Sequence, residues 1–216
     1  GLVEFIPTFL VKSNIPTIAS VKPYTPLEVQ GRDVYIREGC YTCHSQMIRP
    51  FRSETERYGE YSKAGEFVYD HPFQWGSKRT GPDLHRLGGK YNDNWHFNHM
   101  WDPRSTSSNS IMPPYKWLYD NKAIDNSLIE DKMKTLVKIG VPYTDQDISN
   151  ARKSIEDQSS KIEANLHQDP DFVKSYEDSK KNAAARGEKF VPMKDREIVA
   201  LIAYLQRLGT DTKPKK

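Results

Sequence analysis

The clearest helical pattern lies near the C-terminus, where apolar residues recur every three or four positions: Ile198, Leu201, Ile202, Leu205 and Leu208. This spacing is typical of a helix that has one apolar face. Asp195 is placed to cap its start, and Gly209 is placed to end it. We therefore predict an amphipathic helix that packs against the core at this end of the chain.

A second helix is predicted to begin after Thr25. Thr25 and Glu28 have the spacing of a capping box, and Pro26 suits the first helical position. One face of this helix carries residues at positions i, i+4, i+7 and i+8, namely Leu27, Gly31, Val34 and Tyr35. Gly39 is expected to end the helix.

Helical periodicity is weak from residue 45 to residue 89, where Gly, Pro and aromatic residues are frequent. This composition indicates long loops, and loops of this length in a compact domain are usually functional. Asp93 is placed to cap a short helix that runs through Trp101 and stops before Pro103. Residues 128–139 form a further predicted helix, which Gly140 ends.

Residues 144–187 are predicted to form a charged helical hairpin. Thr144 with Asp147, and Asp169 with Pro170, mark the two helix starts. The apolar stripe of the first helix is thin, because its isoleucines are seven residues apart. We interpret the hairpin as a largely solvated insertion into a mainly α domain.

The N-terminal residues 1–11 are apolar apart from Glu4, but no run reaches the roughly 18 apolar residues that a membrane-spanning helix needs. They suit either a short arm packed on a neighbour or the outer end of a membrane helix. Residues 12–24 read as a linker, and the C-terminal lysines read as a solvated tail. A net charge of +3 across 216 residues is too mild to indicate nucleic-acid binding.

The two cysteines of the chain both belong to one motif, Cys40-Tyr-Thr-Cys43-His44. C-x-x-C-H is the attachment signature of c-type heme, in which two thiols bind the porphyrin edge and the histidine binds the iron. A thioredoxin-like pair would require a βαβ pattern, which is absent, and a structural zinc site would require further ligands. We therefore predict one covalently bound heme c.

The sixth iron ligand is less defined by the sequence, since the chain offers five methionines and five further histidines. Met47 is too close to His44 to reach the opposite heme face easily. Met112 is the leading candidate, because it lies in a loop that Pro113 and Pro114 stiffen. A Met/His pair would also raise the reduction potential relative to two histidines.

These residues resemble the class I cytochromes c. Gly31 and Tyr35 on one helix, with Leu201 and Tyr204 on the other, are similar to the crossing of the first and last helices in that family. The stretch Gly-Pro-Asp-Leu at 81–84 resembles the loop in which a proline, here Pro82, steadies the ligand histidine. The resemblance also implies that Trp95 donates to a heme propionate.

Three stretches carry a narrower resemblance, to the mono-heme cytochrome c subunit (subunit II) of cbb3-type cytochrome c oxidase: residues 39–91, IMPPYKWL at 111–118 and LVKIGVPYTDQDI at 136–148. The resemblance implies a membrane-anchor end and linker at 1–24. It also implies a cytochrome c domain at 25–210, with the insertion at about 144–187, and a basic tail at 211–216. The insertion is longer than the family leads us to expect.

The resemblance also implies a role on the periplasmic side of the bacterial inner membrane. Electrons would arrive from a multi-heme cytochrome c subunit or a soluble cytochrome c, and would pass to the catalytic heme-copper subunit, which reduces oxygen. The chain would act as the electron-transfer subunit and carry no oxygen-reducing site itself. Arginine and aromatic residues at 49–79, Arg79 among them, are then a candidate docking and propionate-binding surface.

Two other functions are compatible with the heme motif. A free periplasmic electron carrier would need no anchor and no fixed complex. A heme enzyme or gas sensor would need an open iron position, and therefore a Met112 that does not bind the iron.

Overall fold

The computed structural model describes residues 2–11 and 16–213, and within these ranges the chain forms ten α-helices and no β-strand. The α-helices are α1 Leu2–Leu10, α2 Pro26–Arg37, α3 Arg52–Tyr58, α4 Asp93–Trp101, α5 Pro103–Thr106, α6 Ile129–Lys138, α7 Asp145–Ser149, α8 Ala151–Leu166, α9 Pro170–Ala185 and α10 Glu197–Arg207. Short 3₁₀ helices lie at Cys40–Thr42, Ala64–Phe67, Lys116–Tyr119 and Met193–Asp195. The prediction of a mainly α fold is confirmed.

The centre of the core is the crossing of α2 and α10. Gly31 lies so close to α10 that a Cβ atom built on it would be 1.9 Å from the carbonyl oxygen of Ala200. The rings of Tyr35 and Tyr204 pack beside this contact, with centroids 5.3 Å apart. The absence of a side chain at Gly31 is therefore what lets the two backbones touch, as the resemblance to class I cytochromes c implied.

Helix α2 begins as its sequence predicts. Thr25 accepts a hydrogen bond from the backbone of Glu28, and the Glu28 carboxylate accepts one from the backbone of Thr25. Gly39 follows the helix with a φ of 69°, a left-handed conformation that favours glycine. The turn at Gly39 redirects the chain into the Cys40–Thr42 segment.

Helix α10 begins differently from its prediction. Arg196 is the residue at the N-terminal cap, and it makes no side-chain capping hydrogen bond. Asp195 instead ends the preceding 3₁₀ helix, so the predicted cap was wrong. Gly209, with a φ of 69°, does follow the end of the helix.

Two of the shorter helices also refine the predictions. Asn92, rather than Asp93, caps α4 by accepting from the backbone of Trp95 at 2.8 Å. Helix α3 lies within residues that we predicted as loop, and α6 ends before Gly140 as expected. Apart from α3 and the 3₁₀ helix Ala64–Phe67, the segment from 45 to 89 is irregular.

The predicted hairpin consists of three helices, because α7 and α8 are separate. Thr144 caps α7 through a capping box with Asp147, and Asn150 joins α7 to α8. Helix α8 packs on α2 and α10 and buries Ile155 and Ile162. The thin apolar stripe is therefore part of the core, and α8 is more deeply packed than a solvated insertion. The domain boundaries themselves stay predictions.

Helix α1 presents Leu2, Val3 and Ile6 to solvent. None of the helices within residues 2–11 and 16–213 combines the length and the apolar character that crossing a bilayer requires. Parts of the predicted anchor, linker and tail, at Gly1, residues 12–15 and residues 214–216, lie outside the described residues.

Candidate functional site

The two thiols of the C-x-x-C-H motif lie on a single turn directly after α2. Gly39 turns the chain, Cys40–Thr42 form the 3₁₀ turn, and the backbone N–H of His44 donates to the carbonyl of Cys40 at 3.0 Å. Cys43 is exposed and Cys40 is half-buried. Burial, followed by the charge of Glu38, raises the pKa of the Cys40 thiol to about 12. Both sulfur atoms are thus presented from one turn, next to the imidazole.

The orientation of His44 is fixed by one hydrogen bond. Its Nδ1 lies 2.8 Å from the carbonyl oxygen of Pro82, which has no proton to offer, so Nδ1 carries the hydrogen and donates. The lone pair of this ring is therefore on Nε2. Metal-bound histidines commonly donate their second ring nitrogen to a carbonyl in this way. The arrangement fits an axial iron ligand.

Gly81 allows this orientation by leaving room for the ring. A Cβ atom at position 81 would lie 2.2 Å from Cε1 of His44 and 2.6 Å from Nδ1. The backbone N–H of Gly81 also donates to the carbonyl of Cys43 at 3.0 Å. The Gly-Pro pair therefore both accommodates the imidazole and binds it.

Three influences act on the pKa of His44. Burial lowers it, while the Pro82 carbonyl and the negative charge of Asp83 raise it, and burial is the largest of the three. The ring consequently favours the neutral form, in which Nε2 can bind a metal.

Arg79, predicted to contact the cofactor, is engaged by protein groups. Its backbone pairs with that of His44 in an antiparallel β-bridge, and its guanidinium forms a bidentate ion pair with Glu54. The guanidinium lowers the pKa of Glu54 to about 2. It also donates to Ser45 Oγ and to the Met47 carbonyl. A direct role of Arg79 toward a heme stays a prediction.

Met112 is half-buried against the hydrophobic core. Three residues on, Tyr115 donates its backbone N–H to the carbonyl of Met100 at 2.8 Å, which ties the loop to α4. Burial and then the charges of Cys40 and Cys43 raise the pKa of Tyr115. The end of this loop reaches the residues just before the motif, because the Trp117 indole donates to Glu38 at 2.8 Å. Met112 as a ligand stays a prediction.

Trp95 is the middle ring of a stack on one face of α4. Tyr91 lies on one side of it, with centroids 3.9 Å apart, and His99 lies on the other at 4.5 Å. His99 is close enough to His44 for the charge of His44 to lower its pKa, after the larger effect of burial. The stack thus extends toward the motif, and a propionate contact of Trp95 stays a prediction.

Large apolar side chains are exposed around the thiols. Tyr41 stands between the cysteines and is 41% exposed, Ile111 precedes Met112 and is 75% exposed, and Trp117 is 50% exposed. The Trp117 indole donates to Glu38, just before the motif, at 2.8 Å. An apolar porphyrin suits such surroundings. No cluster of three metal-ligating side chains occurs in the part of the chain that the structure describes.

Sequence reasoning did not assign a role to Ser45, Glu54 or Asp83. The Asp83 carboxylate is buried beside His44, and Glu54 belongs to a helix in a segment that we predicted as loop. The Gly-Pro-Asp-Leu stretch, which contains Asp83, is the sequence feature that could have indicated a role for this residue.

One of the comparisons with known proteins identifies the family of the chain. A comparison with curated proteins finds no match to the chain. The family model described as "Cytochrome C oxidase, mono-heme subunit/FixO" matches residues 1–212, which is nearly the whole chain. This match confirms the resemblance to an oxidase mono-heme subunit. The chain belongs to the family of cytochrome c oxidase mono-heme subunits.

Proposed function

We propose that the chain binds one heme c covalently through Cys40 and Cys43, with His44 and Met112 as the two axial ligands. The observation that carries this proposal is the hydrogen bond from His44 Nδ1 to Pro82, which leaves Nε2 for iron on the residue next to the two thiols. The bound heme supplies a reversible one-electron couple. Pro82 and Gly81 hold and accommodate the ligand ring, and Trp95 and Arg79 are the proposed further contacts.

The role follows from membership of the family. We infer that the chain is the mono-heme subunit of a cbb3-type oxidase, anchored by its N-terminus, with its heme domain on the periplasmic side. It takes electrons from a multi-heme cytochrome c subunit or a soluble cytochrome c and passes them to the catalytic heme-copper subunit. Membership of an oxidase family supports this role over that of a free carrier.

Absorption spectra test the cofactor and its ligands. The purified protein should show one c-type heme per chain by pyridine hemochrome, and a weak far-red band in the oxidised form typical of Met-iron ligation. Changing both cysteines to serine should abolish the covalent heme. A high-spin spectrum would contradict the Met112 assignment and favour an enzyme or sensor, while a chain without covalent heme would contradict the whole proposal.

Met112→Ala tests the sixth ligand directly. We expect the variant to keep its covalent heme, because the thiols are unchanged, and to lose the far-red band. Met47→Ala is the matched control, since Met47 is also half-buried but lies too near His44 to reach the opposite heme face. Retention of the band in Met112→Ala would overturn the assignment.

A docking surface at residues 49–79 can be tested at two exposed arginines that do not bind Glu54, Arg52 and Arg57; Arg52 pairs with Glu56 on its own helix at 2.7 Å. Arg49 and Arg79 both bind Glu54, so reversing them would also disturb the loop. Arg52 has a side chain that is 91% exposed, and Arg57 is exposed. Arg52→Glu with Arg57→Glu should slow electron transfer to the catalytic subunit, whereas Lys174→Glu on α9 should not. Equal rates in both variants would exclude this surface, and copurification with the catalytic subunit would exclude the free carrier.

A further inference from the structure

The buried carboxylate of Asp83 receives three short hydrogen bonds. The backbone N–H of His85 donates to Oδ1 at 2.8 Å. The hydroxyl of Ser45 and the backbone N–H of Met47 donate to Oδ2 at 2.7 and 2.8 Å. All three groups donate, so the carboxylate acts as an acceptor only, as an ionised carboxylate does.

Two of these donors, Ser45 and Met47, join the two segments that meet at the His44 imidazole. Ser45 and Met47 follow His44 in the chain, and Asp83 follows Pro82. Two backbone hydrogen bonds flank the same junction, from Gly81 to the Cys43 carbonyl at 3.0 Å and from Leu84 to the Ser45 carbonyl at 2.9 Å. Asp83 therefore binds the Pro82 loop to the chain segment that carries the histidine, as does the neighbouring Arg79 side chain.

Arg79 and Glu54 form a second set of contacts next to the hydrogen bonds of Asp83. Arg79 Nε donates to Ser45 Oγ at 2.5 Å, so that Ser45 relays between the guanidinium and Asp83. The guanidinium lies 3.5 Å from Asp83 Oδ2, and its bidentate ion pair is with Glu54. Glu54 also binds Arg49 at 2.7 Å. The negative charge of Asp83 is therefore offset only in part, by an ion pair with Arg79 that is longer than the contact of Arg79 with Glu54.

We propose that Asp83 is a positioning residue for His44, which keeps the Pro82 carbonyl on Nδ1–H and places a buried negative charge that favours the oxidised heme. The inference rests on the proposed function, because it takes His44 to be the iron ligand. A negative charge near the site stabilises the more positive ferric state and lowers the reduction potential. Removing that charge should raise the potential.

Asp83→Asn in the heme-loaded protein is the decisive variant, since it keeps the size and removes the charge together with one acceptor oxygen. We expect the equilibrium between oxidised and reduced heme to shift about tenfold toward the reduced form, which raises the reduction potential by about 59 mV for one electron. The His44 Nδ1–H resonance in histidine-labelled protein should shift as well. A purely structural role would lower the stability but leave the potential and this resonance unchanged, and that result would overturn the proposal.

Ser45→Ala is the matched variant, because it removes one donor and keeps the Asp83 charge. We expect it to shift the Nδ1–H resonance and to change the potential by much less than Asp83→Asn. If Asp83→Asn does not fold, Ser45→Ala decides the positioning role, and an unchanged resonance would overturn it. Wild-type protein without covalent heme would instead refute the proposed function. Failure of the Asp83 proposal and failure of the proposed function therefore give different results.

Discussion

Replacing Gly81 by alanine should displace the His44 imidazole. The new Cβ would lie 2.2 Å from Cε1, 2.6 Å from Nδ1 and 2.8 Å from Nε2, whereas ordinary contact begins at 3.4 Å. The backbone at Gly81 is held by its bond to the Cys43 carbonyl, so the ring is the part that must move. That movement breaks the 2.8 Å hydrogen bond to Pro82.

The expected cost follows from two effects. Losing the hydrogen bond costs about 1 kcal/mol, and overpacking of this kind costs about 1–3 kcal/mol. The free energy of unfolding should therefore fall by about 2–4 kcal/mol, which lowers the melting temperature of a chain of this size by about 4–16 °C. The His44 Nδ1–H resonance should also move, since its acceptor is lost.

Thermal unfolding followed by circular dichroism, together with NMR of labelled histidine, measures both effects. Gly65→Ala is the matched control, because Gly65 also lies outside the left-handed region and its Cβ would meet wider contacts, Cγ1 of Ile18 at 2.9 Å and the Pro16 carbonyl oxygen at 3.3 Å. The control should change the melting temperature by less than about 4 °C. If Gly81→Ala kept both the wild-type melting temperature and the wild-type resonance, the proposed fit between Gly81 and His44 would be refuted.

Two further predictions concern the core. Gly31→Ala should lower the free energy of unfolding by about 3 kcal/mol or more in urea titrations, because its Cβ would meet Ala200 O at 1.9 Å; unchanged stability would contradict the helix contact. His96 is fully buried, neither of its ring nitrogens has a hydrogen-bond partner among the described residues, and burial lowers its pKa from 6.5 to about 4. The unfolded chain therefore binds its proton first, so stability should fall as the pH drops from about 6.5 to 4. His96→Leu should raise the free energy of unfolding at pH 7 by about 1–2 kcal/mol and flatten this decline; a less stable variant would indicate a hidden partner.

Sequence reasoning succeeded where the signal is local. The capping box of Thr25 and Glu28 involves neighbouring residues, and the structure has it as predicted. The predicted cap of α10 failed because an adjacent short helix was not foreseen. Asp195 could cap α10 by its position, but the preceding residues form a 3₁₀ helix, and Arg196 takes the capping position.

The site shows the same division. The proximity of Cys40, Cys43 and His44 follows from their spacing, and the Gly-Pro stretch was matched to a known loop. The contacts of Glu54 and Asp83 join positions up to 38 residues apart, and no periodicity reports such pairs. The partners of Glu54 and Asp83 depend on how the segment from 45 to 89 packs against the C-x-x-C-H motif, which is a property of the folded chain.

The crossing of α2 and α10 has a consequence for the order of folding. Gly31 meets Ala200 near the other end of the domain, so the core closes only when the last helix is present. Contacts between such distant positions form slowly, because a long loop must close first. The cysteines follow α2 directly, and their turn therefore rests on a helix without its main packing partner until α10 has been synthesised. Truncation before α10 should leave the thiols on an unsupported segment.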